Sequence, residues 1–322
     1  MKISYSTNPM NEPAAPELSV VLPVYNEESN LPELHRRLTE ALESLGTCEI
    51  IYVDDGSTDG SWDIIRGFAE KGCARGIRLS RNFGHYQALT AGMDHAAGGY
   101  VVTMDSDLQD RPEDIPKLYE KIREGFDTVY AVHRGKKHPL IKRAASRLFM
   151  GMLARRMGTP GPVVSSIFRI YSAGFVKSFR GLREQDRFLP GMFSWMGYRQ
   201  AGVEVLHAGR HSGKPKYDSA RMLRLALSSV VTYYRLPLHF SWILGGLVTL
   251  AALVMALILS TGHWRSGAAA EPWVVTMTIV LFIGGIQLLM IGVLGAYLSS
   301  LFNQVLARPL YLIRDTAGEK EM

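Results

Sequence analysis

The chain has 322 residues, and its 36 Lys and Arg against 30 Asp and Glu give a formal net charge of +6 at neutral pH. These four residue types, 20% of the total, are absent from residues 236–264 and 272–307. The rest of the chain is about 26% charged, the usual level for a soluble domain. We therefore expect one soluble part and one membrane part, which excludes a purely soluble protein, a polytopic transporter and a disordered or collagen-like chain.

The N-terminal segment is polar and contains proline, with no apolar stretch of the kind that a secretory signal peptide carries. We predict a flexible tail over residues 1–17. The two cysteines, Cys48 and Cys73, are too few for a disulfide framework or a cysteine-rich zinc site. We interpret them as buried thiols in a reducing compartment.

From residue 18 onward, short β-branched apolar runs alternate with amphipathic stretches. We predict strands over residues 18–24, 49–53, 76–79, 100–104 and 128–132. We predict helices over residues 31–45, 59–69, 86–97, 113–124 and 140–157. This alternation is typical of an α/β domain with a mostly parallel sheet, in which ligands bind beyond the carboxyl ends of the strands.

The ends of the first two predicted strands carry polar motifs. Residues 23–28 read P-V-Y-N-E-E and residues 54–59 read D-D-G-S-T-D. The absence of G-x-G-x-x-G from the sequence disfavours a dinucleotide-binding enzyme. Asp54 lies where a carboxylate could accept hydrogen bonds from a base or ribose. Ser57, Thr58 or Asp59 could cap the next helix.

The fourth predicted strand ends in an acidic motif, M-D-S-D-L-Q, at residues 104–109. Asp105 and Asp107 are two residues apart, so in an extended segment their side chains project to the same side. Two such carboxylates make a hard-oxygen site suited to Mg²⁺ or Mn²⁺. By itself D-x-D is a weak motif, because it is usually only a solvated loop.

In combination these motifs are specific. The order V-L-P-V-Y-N-E, V-D-D-G-S-T-D, L-S-R-N-F-G-H and M-D-S-D-L-Q-D-R-P-E resembles the inverting glycosyltransferases of family two. The resemblance narrows to the polyprenyl-phosphate glycosyltransferases and runs from about residue 18 to the C-terminus, including R-F-L-P-G-M-F-S-W-M-G-Y-R-Q at residues 187–200. It implies an α/β fold of the GT-A type with a mostly parallel sheet.

The resemblance also implies roles for individual residues. The nucleotide is expected on Pro23, Tyr25, Asn26, Glu27, Asp54, Ser57 and Asp105. A Mg²⁺ or Mn²⁺ ion is expected on Asp105, Asp107 and Gln109. The acceptor phosphate is expected on Arg134, Arg143, Ser146 and Arg169. Residues 210–217 fit the family's R-x-x-G-x-S-K-Y loop with Pro215 in place of serine. The catalytic candidates are therefore Asp105, Asp107, Arg134, Arg143, Arg210 and Lys216.

The chain departs from the family pattern at one position. Members usually carry an acidic residue six positions before the arginine of a strand that here covers residues 166–171, and this sequence has Val163 there. We expect the chemistry to survive. A phosphate monoester has a second pKa of about 6 and is already largely a dianionic nucleophile at neutral pH. Metal and Lys or Arg side chains then assist the departing nucleoside diphosphate.

A basic amphipathic segment precedes the first uncharged run. Residues 219–235 place polar and basic side chains on one helical stripe: Arg221, Arg224, Ser228, Thr232 and Arg235. We predict a juxtamembrane helix in the membrane interface, with its arginines toward anionic headgroups. An ordinary helix packed against the soluble domain is the alternative.

The two uncharged runs each exceed the roughly 20 residues that cross a bilayer. We predict a hairpin of two transmembrane helices over residues 238–260 and 273–301. The basic residues that flank the pair are Arg221, Arg224 and Arg235 before it and Arg308 and Arg314 after it. By the positive-inside rule we expect both flanks, and the soluble domain with them, on the cytoplasmic side of the inner membrane.

The expected organisation follows the chain. A tail (1–17) precedes a cytoplasmic GT-A domain (18–208) and a phosphate-binding loop with the interfacial helix (209–235). The membrane hairpin (236–307) and a cytoplasmic tail (308–322) complete it. The basic residues cluster near the predicted membrane and the phosphate-handling loops, so nucleic acid is not an expected partner. We interpret His85, His95 and His211 as ordinary helix or loop residues because the nine histidines form no metal-binding pattern.

The predicted function is transfer of one sugar from a nucleotide-sugar, with UDP favoured, to a polyprenyl phosphate such as undecaprenyl phosphate, for modification of lipopolysaccharide O-antigen or a similar envelope glycan. The family resemblance favours a homotetramer. One alternative is a processive polysaccharide synthase, against which stand the two predicted spans and the lack of a Q-x-x-R-W segment. The other is a catalytically silent nucleotide-sugar-binding scaffold, motivated by Val163.

Overall fold

The computed structural model describes residues 15–134, 164, 166–185, 187–206, 247 and 272–318. These residues fall into two compact units. The first contains residues 15–134, 164, 166–183, 187–206 and 309–318, and the second contains residues 184–185, 247 and 272–308. The predicted helix over residues 140–157, the interfacial helix and, apart from residue 247, the first predicted span lie outside the described residues.

The first unit is built on an eight-stranded sheet. Its strands are β1 (Leu18–Val24), β2 (Cys48–Asp54), β3 (Arg75–Leu79), β4 (Tyr100–Thr103), β5 (Thr128–Arg134), β6 (Arg169–Ser172), β7 (Gln200–Leu206) and β8 (Ile313–Ala317). They are ordered β7-β5-β6-β4-β1-β2-β3-β8. β6 runs antiparallel to β4 and β5, and β8 runs antiparallel to β3, while the other pairs are parallel. The predicted α/β fold with a mostly parallel sheet is confirmed.

Six helices accompany the sheet in the described part of this unit. They are α1 (Leu31–Leu42), α2 (Ser61–Glu70), α3 (His85–His95), α4 (Ile115–Ile122), α5 (Ala173–Arg180) and α6 (Leu189–Trp195). A 3-10 turn, Pro112–Asp114, leads into α4. The five predicted strands and the first four predicted helices are present, with ends that differ by at most three residues. The predicted burial of the cysteines is wrong for Cys73, which is exposed, while Cys48 is half-buried. β7 and β8 were not predicted. β8 lies in what the sequence suggested was a separate C-terminal tail, and it closes the edge of the sheet beside β3.

The core lies on both faces of the sheet, because every residue of β1 is buried. Alternate side chains point to opposite faces. Val20 and Leu22 therefore join one apolar cluster with the leucines of α1, and Val21 joins the other cluster with α3. Full burial of each such side chain stabilises the fold by about 2 kcal/mol.

Helix α3 is held tightly against β1. A Cβ atom added at Gly92 would overlap the Val21 side chain, so only glycine permits this approach. At the same, C-terminal end of the helix, the Arg180 guanidinium donates to the carbonyls of Met93 (2.8 Å) and Ala96 (2.6 Å). Asp94 accepts from Arg183 at 2.8 Å. These contacts fix the position of the helix, and with it the residues at its N-terminus.

The second unit contains one long helix, α7 (Pro272–Leu306), of 35 residues without a charged side chain. In the same unit, the Gln185 backbone N–H donates to Gln304 Oε1 at 3.3 Å, and Gln185 Nε2 donates to the Arg308 carbonyl at 2.6 Å. Across the described ranges, no helix meets the combined requirements of length and hydropathy for a membrane span.

Candidate active site

The loops after β1 and β2 are tied together by hydrogen bonds. Asn26 adopts a left-handed conformation (φ 54°). Its backbone N–H donates to Ser57 Oγ at 3.0 Å, while its Oδ1 accepts from the Thr58 N–H at 2.9 Å. The Glu27 N–H donates to Ser61 Oγ at 3.0 Å. Four of the polar residues that these two motifs contribute therefore fix the loops to each other.

The predicted helix caps in the second motif are only partly correct. Helix α2 begins at Ser61, and Gly60 is its N-cap residue, with no side-chain cap. Asp59 Oδ1 accepts from the Ser61 N–H at 3.1 Å, which satisfies one of the free donors of the first turn. The Ser57 side chain instead accepts from Asn26, so Ser57 joins the two loops rather than capping the helix.

Asp54, at the end of β2, is fully buried. Its Oδ1 accepts from the Ser57 N–H at 3.0 Å, and its Oδ2 faces Arg78 Nε at 3.3 Å. Burial raises the pKa of this carboxyl. The predicted contact with a base or ribose is not accessible in this arrangement, because Asp54 shows no surface and holds its own turn and β3.

Asp55 has a role that the sequence did not reveal. It is 4% exposed, and its two oxygens accept from the Phe83 N–H at 2.7 Å and the Gly84 N–H at 3.0 Å. The adjacent Gly56 has a left-handed φ of 70°, and a Cβ there would lie 2.5 Å from the Arg81 carbonyl carbon. The D-D-G segment thus holds the N-F-G loop after β3. The sequence signal for this contact is that the D-D-G and N-F-G motifs occur together in the family that the chain resembles.

The D-x-D loop follows β4 directly. Ser106 Oγ donates to the Pro23 carbonyl at 2.9 Å, which fixes this loop beside the end of β1. Leu108, the residue after Asp107, adopts a left-handed φ of 60° and is buried. The Gln109 N–H donates to Asp107 Oδ1 at 3.1 Å, and Gln109 Nε2 donates to Asp107 Oδ2. Asp107 and Gln109, both predicted metal ligands, therefore contact each other.

Asp105 is the electrostatic centre of the site. Its Oδ1 atom is enclosed, although 39% of the side chain is exposed. Burial raises the pKa of Asp105 to about 6; the imidazole of His85 opposes the shift, and the carboxylates of Asp110, Asp107 and Glu27 add to it. Several negative charges thus converge on one partly enclosed carboxyl group.

The donor set suits a hard divalent cation that takes further ligands from its substrate. Among the described residues, no three His, Cys, Asp or Glu side chains are arranged to hold a metal by themselves. Asp105 Oδ1 is nevertheless an enclosed oxygen that accepts no well-aligned hydrogen bond. A cation would give this oxygen a partner and would neutralise the surrounding negative charge. Mg²⁺ in particular binds through one or two carboxylates together with phosphate oxygens.

His85 also belongs to the site, although the sequence pattern indicated only an ordinary helix residue. It is the first residue of α3, and its Nε2 lies 3.2 Å from Asp105 Oδ1. The signal that could have found it is its position directly after the N-F-G motif. Of the predicted nucleotide-binding residues, Tyr25 keeps 37% of its surface exposed at the end of β1.

Arg169 does not fit its predicted contact with the acceptor phosphate. It is fully buried in β6. Its guanidinium donates to the carbonyls of Ser166 (2.8 Å) and Val164. It also lies over the rings of Tyr130 and Phe193. Because it has no exposed surface, it cannot meet a phosphate that arrives from outside, and we assign it to the core.

The remaining predicted residues are not placed by the described part of the chain. Arg134 ends β5, but nothing is described of its side chain. The other predicted phosphate-contacting residues, and the position that departs from the family pattern, lie outside the described residues: Arg143, Ser146, Val163, Arg210 and Lys216.

Comparison with known proteins shows which family the chain belongs to. The model of the family "Glycosyl transferase family 2" matches residues 19–181. An uncharacterized glycosyltransferase of Synechocystis sp. is 37% identical over 305 residues, covering 94% of this chain and 96% of the relative. The undecaprenyl-phosphate 4-deoxy-4-formamido-L-arabinose transferase of Pseudomonas paraeruginosa is 36% identical over 301 residues, covering 92% of this chain and 89% of the relative.

A crystal structure of glucosyl-3-phosphoglycerate synthase from Mycobacterium tuberculosis, in complex with Mn²⁺, UDP and glucosyl-3-phosphoglycerate, superposes with a TM-score of 0.48 at 22% identity. It covers 68% of this chain and 80% of that one. The family match and the curated relatives define the class of the protein. The chain belongs to glycosyltransferase family 2 and is a glycosyltransferase with a GT-A type α/β fold.

Proposed function

We propose that this protein transfers a single sugar from a nucleotide-sugar to a polyprenyl phosphate, with undecaprenyl phosphate as the favoured acceptor. The observation that carries the proposal is the D-x-D loop, whose Asp105 lies enclosed among carboxylates beside the loops after β1 and β2. A relative that aligns over 92% of this chain is an undecaprenyl-phosphate 4-deoxy-4-formamido-L-arabinose transferase. UDP is the favoured nucleotide.

On the donor side, Asp105, Asp107 and Gln109 are the residues that would hold the Mg²⁺ or Mn²⁺ ion that accompanies the nucleotide-sugar. When bound, the cation neutralises negative charge that develops on the leaving nucleoside diphosphate. The interlocked loops of Asn26 and Ser57 keep a fixed surface for the nucleotide. Gln109 orients Asp107 through its two hydrogen bonds.

On the acceptor side, the nucleophile is the lipid phosphate itself. A phosphate monoester is largely dianionic at neutral pH, so its oxygen attacks the anomeric carbon in line and inverts the configuration without a protein base. This chemistry tolerates Val163 in place of the family's usual acidic residue. Arg134, Arg143, Ser146, Arg210 and Lys216 are the candidates for contact with the phosphates.

We further propose that the protein resides in the inner membrane, with its sheet domain in the cytoplasm. The proposal rests on the sequence, in which residues 236–264 and 272–307 form two runs without a charged side chain. Each run is longer than the roughly 20 residues that cross a bilayer. A hairpin of this kind would keep the enzyme at the membrane that contains its lipid acceptor. A tetramer and a role in modifying an envelope glycan complete the proposal.

The test is a product assay with the full-length protein in nanodiscs. It combines undecaprenyl phosphate, Mn²⁺ and a panel of UDP- and GDP-sugars, and mass spectrometry reads the lipid product. We expect one sugar on one lipid phosphate. A polymer would indicate a processive synthase. Nucleotide binding without any product from the whole panel would indicate a silent scaffold, and either result would contradict the proposal.

A further inference from the structure

His85 is delivered to the D-x-D loop by rigid structure. The loop before it is fixed by Asp55, which accepts from the N–H groups of Phe83 and Gly84. Gly84 has a φ of 113°, a conformation that favours glycine. Helix α3, which begins at His85, is in turn fixed against β1 at Gly92. The imidazole therefore projects from a rigid helix start, and its position is set from both sides.

The contact with Asp105 is close but incompletely formed. His85 Nε2 lies 3.2 Å from Asp105 Oδ1, yet this enclosed oxygen accepts no hydrogen bond of good geometry. Hydrogen bonds in active sites often tighten only when the substrate is bound. A carboxylate offers about four lone-pair positions. One N–H donor from His85 therefore leaves Asp105 able to bind a cation.

The neighbourhood of Asp105 makes such a donor valuable. Burial raises the pKa of Asp105, the His85 imidazole opposes this rise, and the carboxylates of Asp110, Asp107 and Glu27 add to it by repulsion. Carboxylates that bind metals are themselves held by hydrogen bonds, and loss of such a partner typically weakens metal binding about 10- to 100-fold.

We infer that His85 is a positioning residue: its Nε2–H donates to Asp105 Oδ1 and fixes this carboxylate in the orientation that binds the divalent cation of the donor substrate. The inference rests on the proposed function, because that function supplies the cation and the nucleotide. His85 keeps 36% of its side chain exposed and belongs to neither apolar cluster, so its replacement leaves the core packing in place. Its effect is expected on metal affinity rather than on folding.

Three variants of the full-length protein separate the hydrogen bond from side-chain bulk. His85→Leu removes the donor, His85→Asn shortens it, and His85→Gln keeps an N–H at a similar reach. His95→Leu, at the other end of the same helix, is the matched control, because His95 contacts the Ala91 carbonyl and the ring of Tyr311 instead. The measurement is Mn²⁺ affinity by electron paramagnetic resonance at saturating UDP, with metal-free UDP affinity and Tm alongside.

We expect Mn²⁺ affinity to fall about 10- to 100-fold in His85→Leu and His85→Asn. It should stay within about threefold of wild type in His85→Gln and His95→Leu, while metal-free UDP affinity and Tm change little in the His85 variants. Unchanged Mn²⁺ affinity in His85→Leu and His85→Asn overturns the inference. Equal losses in His85→Gln and His85→Leu also overturn it, because the donor would then be irrelevant.

Wild-type behaviour separates this inference from the proposed function. A wild-type protein that binds no Mn²⁺ in the presence of UDP overturns the inference on His85. A wild-type protein that binds Mn²⁺ and UDP in a His85-dependent way, but transfers no sugar to undecaprenyl phosphate, overturns the proposed acceptor and leaves the role of His85 supported.

Discussion

Two neighbouring regions of the sheet domain handle their polar groups in opposite ways. In the loops after β1 and β2, the side chains of Asn26, Ser57 and Asp55 all accept hydrogen bonds from backbone N–H groups. In the D-x-D loop, Asp105 has an enclosed oxygen without a well-aligned hydrogen bond, amid other carboxylates. Buried polar groups are normally satisfied within the protein. Asp54 Oδ2 in the first region is also enclosed without a well-aligned hydrogen bond, but it faces the cationic Arg78, whereas Asp105 faces further carboxylates. The first region is therefore a scaffold that is neutralised from within the protein, and the second is completed by what it binds.

The largest expected effect is that of Asp107→Asn, which tests whether the D-x-D loop binds a cation. It removes a charge from the cation site without a large change of shape, and electrostatic help to the leaving group is worth several kcal/mol. We expect sugar transfer to fall by about 1000-fold or more, measured as the initial rate of lipid-linked product. Turnover within a few-fold of wild type would contradict the assignment of Asp107 to the cation.

Arg169→Met tests the assignment of Arg169 to the core. The change removes the guanidinium donor from the partly buried carbonyls of Ser166 and Val164, and hydrogen bonds to a charged group contribute about 1.5–3 kcal/mol each. We expect the free energy of unfolding to fall by about 2–4 kcal/mol in denaturant titrations. Normal stability combined with a raised KM for the acceptor would restore the original phosphate-binding prediction.

Gly56→Ala tests whether the turn after β2 serves as a scaffold for the neighbouring loop. A Cβ at Gly56 would meet the backbone of Arg81 and Asn82 at a φ of 70°. We expect a loss of about 1–3 kcal/mol in the free energy of unfolding and weaker UDP binding. Gly67→Ala in helix α2 is the matched control, since a Cβ there meets nothing within 4 Å. We expect that variant to be neutral or more stable by up to about 1 kcal/mol. Equal behaviour of the two variants would contradict this account of the turn.

The smallest expected effect is a pH dependence from His35, which is half-buried on helix α1. It stacks on Phe68 and contacts Tyr52 Oη at 3.1 Å. Burial lowers the pKa of His35, with a smaller contribution from Lys71. As pH falls below 6.5, the unfolded chain takes up this proton before the folded chain does, so stability is lost until the lowered pKa is passed. His35→Phe keeps the stacking and should flatten this part of the pH profile of Tm. An unchanged profile would show that His35 titrates normally.

Much of the fold could be predicted because local patterns determine it. The buried run of β1 and the leucine spacing of α1 are visible in the sequence alone. The sequence did not predict β7 and β8, because their pairing with neighbouring strands, rather than a local pattern of apolar residues, identifies them. β8 is an exposed edge strand, and only its pairing with β3 identifies it.

The site was predictable to the level of motifs and no further. The order of the motifs placed Asp105 and Asp107 at a strand end. Sequence could not show that Asp54 turns inward to Arg78, or that Asp55 holds the loop that carries His85. Both contacts depend on the direction in which each carboxylate oxygen points in the folded chain, and the sequence does not specify that direction. The phosphate contact predicted for Arg169 followed from its place in a family motif. In the structure, aromatic rings and carbonyls surround its guanidinium instead.

The central claim is that an intact D-x-D loop transfers one sugar to undecaprenyl phosphate. Its most direct test is mass spectrometry of lipids extracted from membranes of cells that produce either the wild-type chain or Asp107→Asn at equal levels. We expect undecaprenyl phosphate carrying a single sugar in the wild-type membranes only. The same lipid in both samples, a longer glycan, or no glycosylated lipid in either sample would contradict the account.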